Sequence, residues 1–224
     1  SPPLRRRHRA DIQTITTNNL KAPDLAGFEI KSHRDVIRSY TTLFTKAPDF
    51  PKGANKFLTE TFGVPYDFDP NIKSLHTSMF ATRFNTFHGK YSFRLINDKE
   101  NRLLRIGIYD INSHNLIDQS CGYFYSSIEN VLKNKLRDLF YVSADRRFSN
   151  DGSEEFFFNH AEIYSEPSLE KFLKLVDEGQ IMFDIRIGSY KSGKNYGKPH
   201  DHGSGFRILD PNIYLLYKEH EIID

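Results

Sequence analysis

Apolar residues recur along this chain with two different spacings, and these spacings predict its secondary structure. Apolar residues at every second position, as in segments 91–97 and 103–110, predict strands that bury one face. Apolar residues three and four apart predict amphipathic helices over 126–136 and 168–178, the second capped by Ser168. Further strands are predicted over 28–31, 39–46, 83–87, 116–120, 139–145, 155–164, 181–190 and 206–209, and a short helix over 56–62.

The segments between these elements are predicted to be loops or short turns. Residues 10–20 are rich in Thr and Asn and are expected to form a short helix or a loop. Residues 64–73 contain Pro65 and Pro70 and are expected to be irregular. Residues 191–205 are predicted to form a loop rich in glycine and lysine.

The order of these elements predicts the fold class. Residues 35–38 are expected to turn the chain, so that the strand over 39–46 runs antiparallel to the strand over 28–31. Helices fall between strands, and neither a repeat nor a linker divides residues 1–224. We therefore predict a single α/β domain in which helices flank a mixed β-sheet.

Composition excludes several classes of protein. The 224 residues include no apolar stretch long enough to span a membrane and no pattern typical of a signal peptide. Cys121 is the only cysteine, which excludes an intramolecular disulfide or a cysteine zinc cluster and fits a reducing cytoplasm. The formal net charge of +2 does not by itself indicate a nucleic-acid-binding protein. Arginines at positions 5–7 and 9 fit either a phosphate-binding arm or a solvated terminus.

The first candidate site lies between residues 21 and 31. Glu29 and Lys31 share one face of a predicted strand, and a turn at Gly27 would bring Asp24 back beside Glu29. Two carboxylates that meet at the end of a half-buried strand repel each other unless a cation lies between them, and Mg²⁺ prefers such oxygen ligands. A lysine on the same face can hold a water molecule against a phosphate. The alternative is the solvated face of an edge strand.

The second candidate site lies near the C-terminus. Asp184 and Arg186 share one face of a predicted strand. His200, His202 and Arg207 follow across a loop that contains three lysines. Such a set can read DNA bases, because arginine bonds guanine O6 and N7 together and aspartate accepts from cytosine N4. His-x-His is also a common metal-ligand pair, so base or phosphate contact, metal binding and an uninvolved loop all remain open.

Taken in order, these segments resemble a known family. The resemblance is carried by A-P-D and E-I-K within 22–31, TLFTKAP at 42–48, KGAN at 52–55, DIRIGSYKSG at 184–193 and HDHGSGFRI at 200–208. These motifs resemble the MvaI/BcnI restriction endonucleases and, more distantly, the mismatch-repair nickase MutH. They run from about residue 20 to about residue 209 and are most similar to the MvaI branch of the family.

The resemblance implies a fold and a reaction. The fold is a restriction-endonuclease-like α/β fold, in which a catalytic lobe and a DNA-recognition lobe clamp duplex DNA. Asp24 and Glu29 would ligate Mg²⁺ with the help of the backbone carbonyl of Ile30. Lys31 would position the attacking water and steady the charge on the phosphate. Hydrolysis would leave a 5′-phosphate and a 3′-hydroxyl.

The same resemblance implies how DNA is recognised. The residues that match positions of major-groove base contact are Asp184, Arg186, His200, His202 and Arg207. The side chains expected on the DNA backbone are Lys46, Lys52, Asn55, Lys191, Lys194 and Lys198. Metal ligation by the two histidines becomes the weaker alternative. The implied protein is a monomeric type II restriction endonuclease of the bacterial cytoplasm that cuts CC-N-GG sites, with CC(A/T)GG as the leading expectation.

One departure from the family lies ahead of the first candidate site. The family has a Gly-rich stretch and a helix with a supporting glutamate there, whereas residues 4–20 contain neither glycine nor glutamate. Residues 1–20 are therefore expected to be an atypical or truncated N-terminal segment. The departure keeps open a catalytically impaired, sequence-specific DNA-binding module and a relative that nicks one strand. A His-ligated metalloprotein is a further hypothesis.

Overall fold

The computed structural model describes residues 27–34 and 39–223. The strands are β1 (Phe28–Arg34), β2 (Tyr40–Thr45), β3 (Val64–Tyr66), β4 (Asp69–Met79), β5 (Tyr91–Asp98), β6 (Leu103–Asp110), β7 (Leu116–Asp118), β8 (Gly122–Phe124), β9 (Asp138–Phe148), β10 (Glu154–Pro167), β11 (Ile181–Ser189), β12 (Pro199–Asp201), β13 (Gly205–Leu209) and β14 (Tyr217–Ile223). The α-helices are α1 (Ala54–Phe62), α2 (Tyr125–Lys135) and α3 (Leu169–Asp177), and 3₁₀ turns cover Gly193–Asn195 and Asp210–Leu216.

In the described part of the chain, these strands form three sheets. The first has the order β1-β9-β10-β14, in which β1 and β9 are parallel and the other pairs are antiparallel. The second has the order β2-β13-β11-β4-β3, with β12 paired to β11. The third contains β5, β6 and β7, with β8 paired to β6. Since α1 packs on β4, α2 on β10 and α3 on β5 and β11, the predicted α/β class with a mixed sheet and flanking helices is confirmed.

Helix α3 shows why the sequence forms these elements. The Ser168 side chain accepts a hydrogen bond of 3.3 Å from the backbone N–H of Lys171, which satisfies one free donor of the first turn. Phe172 and Val176 lie four residues apart on the buried face. Gly179 follows the helix with a φ of 72°, a conformation that glycine adopts without steric cost. No helix among the described residues is long and apolar enough to cross a membrane.

Two predicted elements in the first half of the chain are wrong. Residues 64–73 form β3 and the start of β4 instead of an irregular segment. The two prolines are tolerated because Pro65 lies on β3, the last strand of its sheet, and Pro70 lies outside the registered pairs of β4. Residues 83–87 are not a strand. The side chain of Asn85 donates 2.7 Å hydrogen bonds to the Ser78 carbonyl and the Thr77 hydroxyl, and these bonds replace strand pairing.

Two further expectations fail at the first sheet. The strand over 39–46 exists as β2, but it pairs with β13 and not with β1, whose neighbour is β9. Strand β14 (Tyr217–Ile223) was not predicted, because its central residues are polar and exposed and show no buried face. The predicted turn at 35–38, the predicted helix or loop at 10–20, the segment 1–20 and Asp24 lie outside the described residues.

Phe206 on β13 lies at the centre of the core and packs the second sheet against α3. It has no exposed surface, and its ring centroid lies 4.9–5.3 Å from those of four aromatic rings, Phe44, Tyr123, Phe172 and Phe183. We therefore expect Phe206→Ala to lower the free energy of unfolding by about 3–5 kcal/mol, because it leaves a cavity among these rings. Equilibrium unfolding in urea measures the change.

A matched control separates this effect from a general loss of aromatic surface. Phe148 on β9 is 63% exposed, so Phe148→Ala is expected to change the free energy of unfolding by less than about 0.5 kcal/mol. Similar midpoints of denaturation for the two variants would contradict the central position of Phe206.

Candidate active site and nucleic-acid interface

Glu29 and Lys31 lie on one face of β1, as the sequence predicts. Glu29 is only 4% exposed, and its Oε1 atom lies 3.1 Å from the Lys31 ammonium. Lys135, at the end of α2, lies 3.7 Å from the same oxygen. The buried carboxylate is thus balanced by two lysines from different elements. This arrangement contradicts the alternative of a solvated strand face, since both partners of the short ion pair are largely removed from water.

The other oxygen of Glu29 is the feature that fits a cation. Among the described residues, Oε2 is buried and has no hydrogen-bond partner, and the same holds for the hydroxyl of Tyr217. Burial, together with the negative charges of Glu29 and Asp138, raises the pKa of that tyrosine. A buried carboxylate oxygen without a partner is unfavourable, so a hard cation or its water would complete the site. Ile30 follows on β1, whereas the predicted ligand Asp24 lies outside the described residues.

Asp184 on β11 is the centre of the second candidate site. It is 7% exposed, and its Oδ1 atom accepts a 2.8 Å hydrogen bond from the Ser78 hydroxyl on β4. Its Oδ2 atom lies 2.6 Å from Nε of Arg186 and 2.9 Å from Nε of Arg207. Burial lowers the pKa of Arg207 and the Asp184 carboxylate opposes this shift. One carboxylate therefore holds two guanidinium groups side by side.

The contacts of the two arginines leave their ends available. In the described part of the chain, Arg186 donates through Nε to Asp184, whereas Arg207 Nε contacts the same oxygen as an ion pair without hydrogen-bond geometry. The terminal Nη atoms of both arginines have no hydrogen-bond partner among the described residues. The Nη atoms and the free edge of each guanidinium are the groups that bond guanine O6 and N7 together. The guanidinium of Arg186 thus lines the cleft in front of β11, and that of Arg207 lies half-buried on the same carboxylate.

His200 and His202 continue this surface as part of a row of rings. The Tyr190 ring stacks on His200 at 4.6 Å, and His200 lies 4.3 Å from His202, between ring centroids. A Cβ atom at Gly188 would come within 2.9 Å of His202 Nε2, so a side chain at Gly188 would displace this histidine. The predicted His-x-His pair is therefore brought together with the arginines on the second sheet.

Asp201 lies between the two histidines but has a different role. Its Oδ1 atom accepts hydrogen bonds from the backbone N–H groups of Gly203 and Ser204 at 2.9 and 2.7 Å. Its Oδ2 atom accepts from the side chain of Asn55 on α1 at 3.0 Å. The aspartate thus shapes the loop that carries His202. Among the described residues, no group of three or more His, Cys, Asp or Glu side chains is arranged to hold a metal ion, so the structure offers no support for a histidine metal site.

A cleft of about 560 Å³ opens over these residues. Its lining consists of His76, Thr77, Ser78, Asp184, Ile185, Arg186 and His202. The sequence motifs include Asp184, Arg186 and His202 but not His76 and Ser78, which β4 places opposite Arg186 and Asp184. They also do not include Lys135 and Tyr217 beside Glu29. A strand prediction over 69–79 would have placed His76 and Ser78 on one face, whereas no local pattern marks Lys135.

The residues predicted to contact the DNA backbone fall into two groups. Lys46 forms a 2.7 Å ion pair with Asp49, and Asn55 bonds Asp201, so both have contacts within the protein. Lys52, Lys191, Lys194 and Lys198 are exposed in the loops before α1 and between β11 and β12. The Lys191 ammonium lies 5.1–5.3 Å from the ring centroids of Tyr66 and Phe68, a cation–π contact that orients its side chain. Four cations thus remain available for phosphates.

Comparison with known proteins agrees with this geometry. No curated protein sequence matches the chain. The solved complex of restriction endonuclease MvaI with its cognate DNA substrate shares 30% sequence identity and covers 100% of this chain and 90% of that chain, with a TM-score of 0.81. The structure of MvaI in the absence of DNA shares 33% identity over 92% of this chain and 82% of that chain, with a TM-score of 0.71. The profile of the MvaI/BcnI restriction endonuclease family matches residues 11–217, and the chain belongs to this family.

Proposed function

We propose that this site-specific deoxyribonuclease cuts duplex DNA as a monomer, with Mg²⁺, at a pseudopalindromic CC-N-GG site. CC(A/T)GG is the leading sequence, because the motifs of this chain are most similar to those of MvaI. The observation that carries the proposal is the pair of guanidinium groups beside one buried carboxylate, Asp184, which lines an open cleft together with Arg186. A second, buried carboxylate with an adjacent lysine on the first sheet supplies the reaction. The proposed place of action is the bacterial cytoplasm.

The recognition cleft suits sites rich in G·C pairs. Arg186 and Arg207 each present free Nη atoms, and a bidentate arginine–guanine contact discriminates against the wrong base by about 1–3 kcal/mol. His200 and His202 extend the same surface, and a histidine can donate to or accept from a base edge. Asp184 already accepts hydrogen bonds from Ser78 and Arg186 and forms an ion pair with Arg207, so it would act on base pairs chiefly by holding the guanidinium groups in register.

The lysines around the cleft would bind the DNA backbone. Lys52, Lys191, Lys194 and Lys198 are exposed, and contacts of this type position a protein on the duplex without reading its sequence. Their contribution weakens as salt rises, because each phosphate contact releases counterions. The modest net charge of the whole chain is therefore compatible with DNA binding through a local basic rim.

The catalytic proposal assigns separate roles to the residues of β1. Glu29, Asp24 and the carbonyl of Ile30 would hold Mg²⁺, whose chemistry there would be to lower the pKa of water and to offset charge on the phosphate. Lys31, 3.1 Å from Glu29 Oε1, would hold the attacking water in line with the phosphorus and donate to a phosphate oxygen. The new bond joins the water oxygen to phosphorus, and the bond to the 3′-oxygen breaks. The products are a 5′-phosphate and a 3′-hydroxyl.

Incubation with a sequenced plasmid and Mg²⁺, followed by mapping of fragment ends, tests the proposal. We expect cuts at CC(A/T)GG, 5′-phosphate ends, and loss of cleavage when EDTA replaces Mg²⁺. A plasmid in which these sites have been removed is the control and should stay intact. Sedimentation of the complex with a duplex that carries one site should give one protein chain per DNA.

Other outcomes identify the alternatives. An intact plasmid combined with sequence-specific binding in gel shifts would establish an impaired DNA-binding module, to which the departure at residues 4–20 points. Nicked circles that never become linear would establish a strand-nicking enzyme. Cleavage that persists in EDTA would contradict the proposed metal dependence.

A further inference from the structure

His76 on β4 lies at the end of the row of rings described above. Its ring centroid is 6.3 Å from that of His202, with the two planes nearly perpendicular at 85°. The side chain is exposed and lines the same cleft as Asp184 and Arg186. Among the described residues, neither ring nitrogen has a hydrogen-bond partner. His76 is thus a polar group in the cleft to which neither the sequence motifs nor the proposed mechanism assigns a role.

The pairing of β4 with β11 fixes where His76 points. His76 is the direct partner of Arg186, and Ser78 is the direct partner of Asp184, so these side chains share one face of the sheet. Opposite Cβ atoms in an antiparallel pair lie about 4.5–5.5 Å apart. Since successive nucleotides on a DNA strand are about 3.4 Å apart along the helix axis, the two side chains can reach the same base pair or adjacent base pairs.

The chemistry of the ring suits a base edge better than a phosphate. Desolvation lowers the pKa of His76, the neighbouring His202 and Arg186 lower it further, and the Asp184 carboxylate opposes this shift. A neutral imidazole offers one donor and one acceptor, which match guanine N7 or O6 and cytosine N4 in the major groove. A phosphate would instead favour a protonated ring, which the adjacent guanidinium of Arg186 opposes.

We propose that His76 is a specificity-determining residue that contacts a base edge adjacent to the one bonded by Arg186. The proposal rests on the proposed function, because it takes the cleft over β11 as the surface that reads DNA. It adds a strand, β4, to the proposed base-reading surface, whose motif residues lie on β11, β12, β13 and the loop that follows β12. Ser78, two residues further along β4, would support this strand by holding Asp184.

The test variant is His76→Phe, which keeps a ring beside His202 and removes both ring nitrogens. The matched control is His114→Phe, because His114 follows β6, stacks on Phe84 at 4.2 Å and does not line the cleft. Fluorescence anisotropy without Mg²⁺ measures the dissociation constants for the duplex with the mapped site. The same measurement is made for a set of duplexes with one base pair changed at a time.

We expect His76→Phe to lose discrimination at one or two adjacent positions of the site by on the order of 10-fold, with the profile at the other positions kept. The His114→Phe profile should match that of the wild type. An unchanged profile for His76→Phe, or an equal loss of affinity for every duplex, would overturn the proposal while leaving the proposed function in place. A wild-type protein without any sequence preference would instead overturn the proposed function, and this inference with it.

Discussion

Lys31→Ala is expected to lower the rate of DNA cleavage by about 10³-fold or more, while the dissociation constant for the specific duplex changes by less than about tenfold. In the proposed mechanism the ammonium group would act on the attacking water and on charge that develops at the phosphate, so its contribution would arise mainly in the transition state. Specific binding is proposed to depend on the cleft over β11, on another sheet. Single-turnover cleavage of a duplex with one site, combined with anisotropy in the absence of Mg²⁺, measures the two effects separately.

The structure explains why this variant should fold. Lys135 lies 3.7 Å from Glu29 Oε1, so the buried carboxylate keeps a counter-charge when Lys31 is truncated. Lys31→Met is a second variant that retains the aliphatic stem and removes only the charged end. The matched control is Lys133→Ala on α2, because Lys133 pairs with Glu129 on an exposed helix face, and such pairs contribute little to stability.

Cleavage by Lys31→Ala at the wild-type rate would remove Lys31 from the mechanism. A loss of both cleavage and specific binding would mean that Lys31 supports the fold or the cleft, which thermal unfolding of Lys31→Met would reveal. Slow cleavage by Lys133→Ala would show that the assay responds to any lost positive charge. Together these outcomes separate a catalytic lysine from a structural lysine and from a general electrostatic effect.

The part of the site that the sequence predicts is the part that depends on strand geometry alone. Glu29 and Lys31 are two residues apart, so they share a face of any strand, whichever strand is its neighbour. The same reasoning places Asp184 beside Arg186 on β11. The resemblance to the family added the order of the motifs. It did not reveal that Asp184 forms ion pairs with both arginines, because Arg207 reaches it from another strand.

The parts that the sequence does not predict depend on pairing between distant segments. Lys135 reaches Glu29 only because α2 ends beside β1, and neither segment carries a local signal of this contact. Pro65 and Pro70 made residues 64–73 look irregular in the sequence. However, Pro65 lies on the last strand of the sheet and Pro70 lies outside the registered pairs of β4, where a missing N–H has little effect. Strand β14 shows no alternation because it lies at the end of the first sheet, where both faces of its central residues are polar.

Asp184→Ala is expected to weaken binding to the specific duplex by on the order of 10²-fold, while affinity for unrelated duplexes is kept or slightly increased. The change removes the group that holds Arg186 and Arg207, and it leaves two like charges side by side. Both guanidinium groups would then separate and lose their register with guanine. Phosphate contacts from the exposed lysines Lys52, Lys191, Lys194 and Lys198 would persist, because they do not depend on Asp184.

Anisotropy with specific and unrelated duplexes over a range of salt concentrations measures this result. The matched control is Asp98→Ala, since Asp98 forms a 3.0 Å ion pair with Arg105 on the third sheet, outside the cleft. This control removes an aspartate–arginine pair without altering the base-reading surface, so its specific affinity should remain close to the wild-type value. Equal losses of affinity for specific and unrelated duplexes in Asp184→Ala would contradict the proposed role. A residue that orders base-reading arginines must change the ratio of the two affinities. The proposed role instead predicts that the preference for the specific duplex is lost while the salt dependence of non-specific binding stays unchanged. That result would assign sequence recognition to the arginines that one buried carboxylate holds in place.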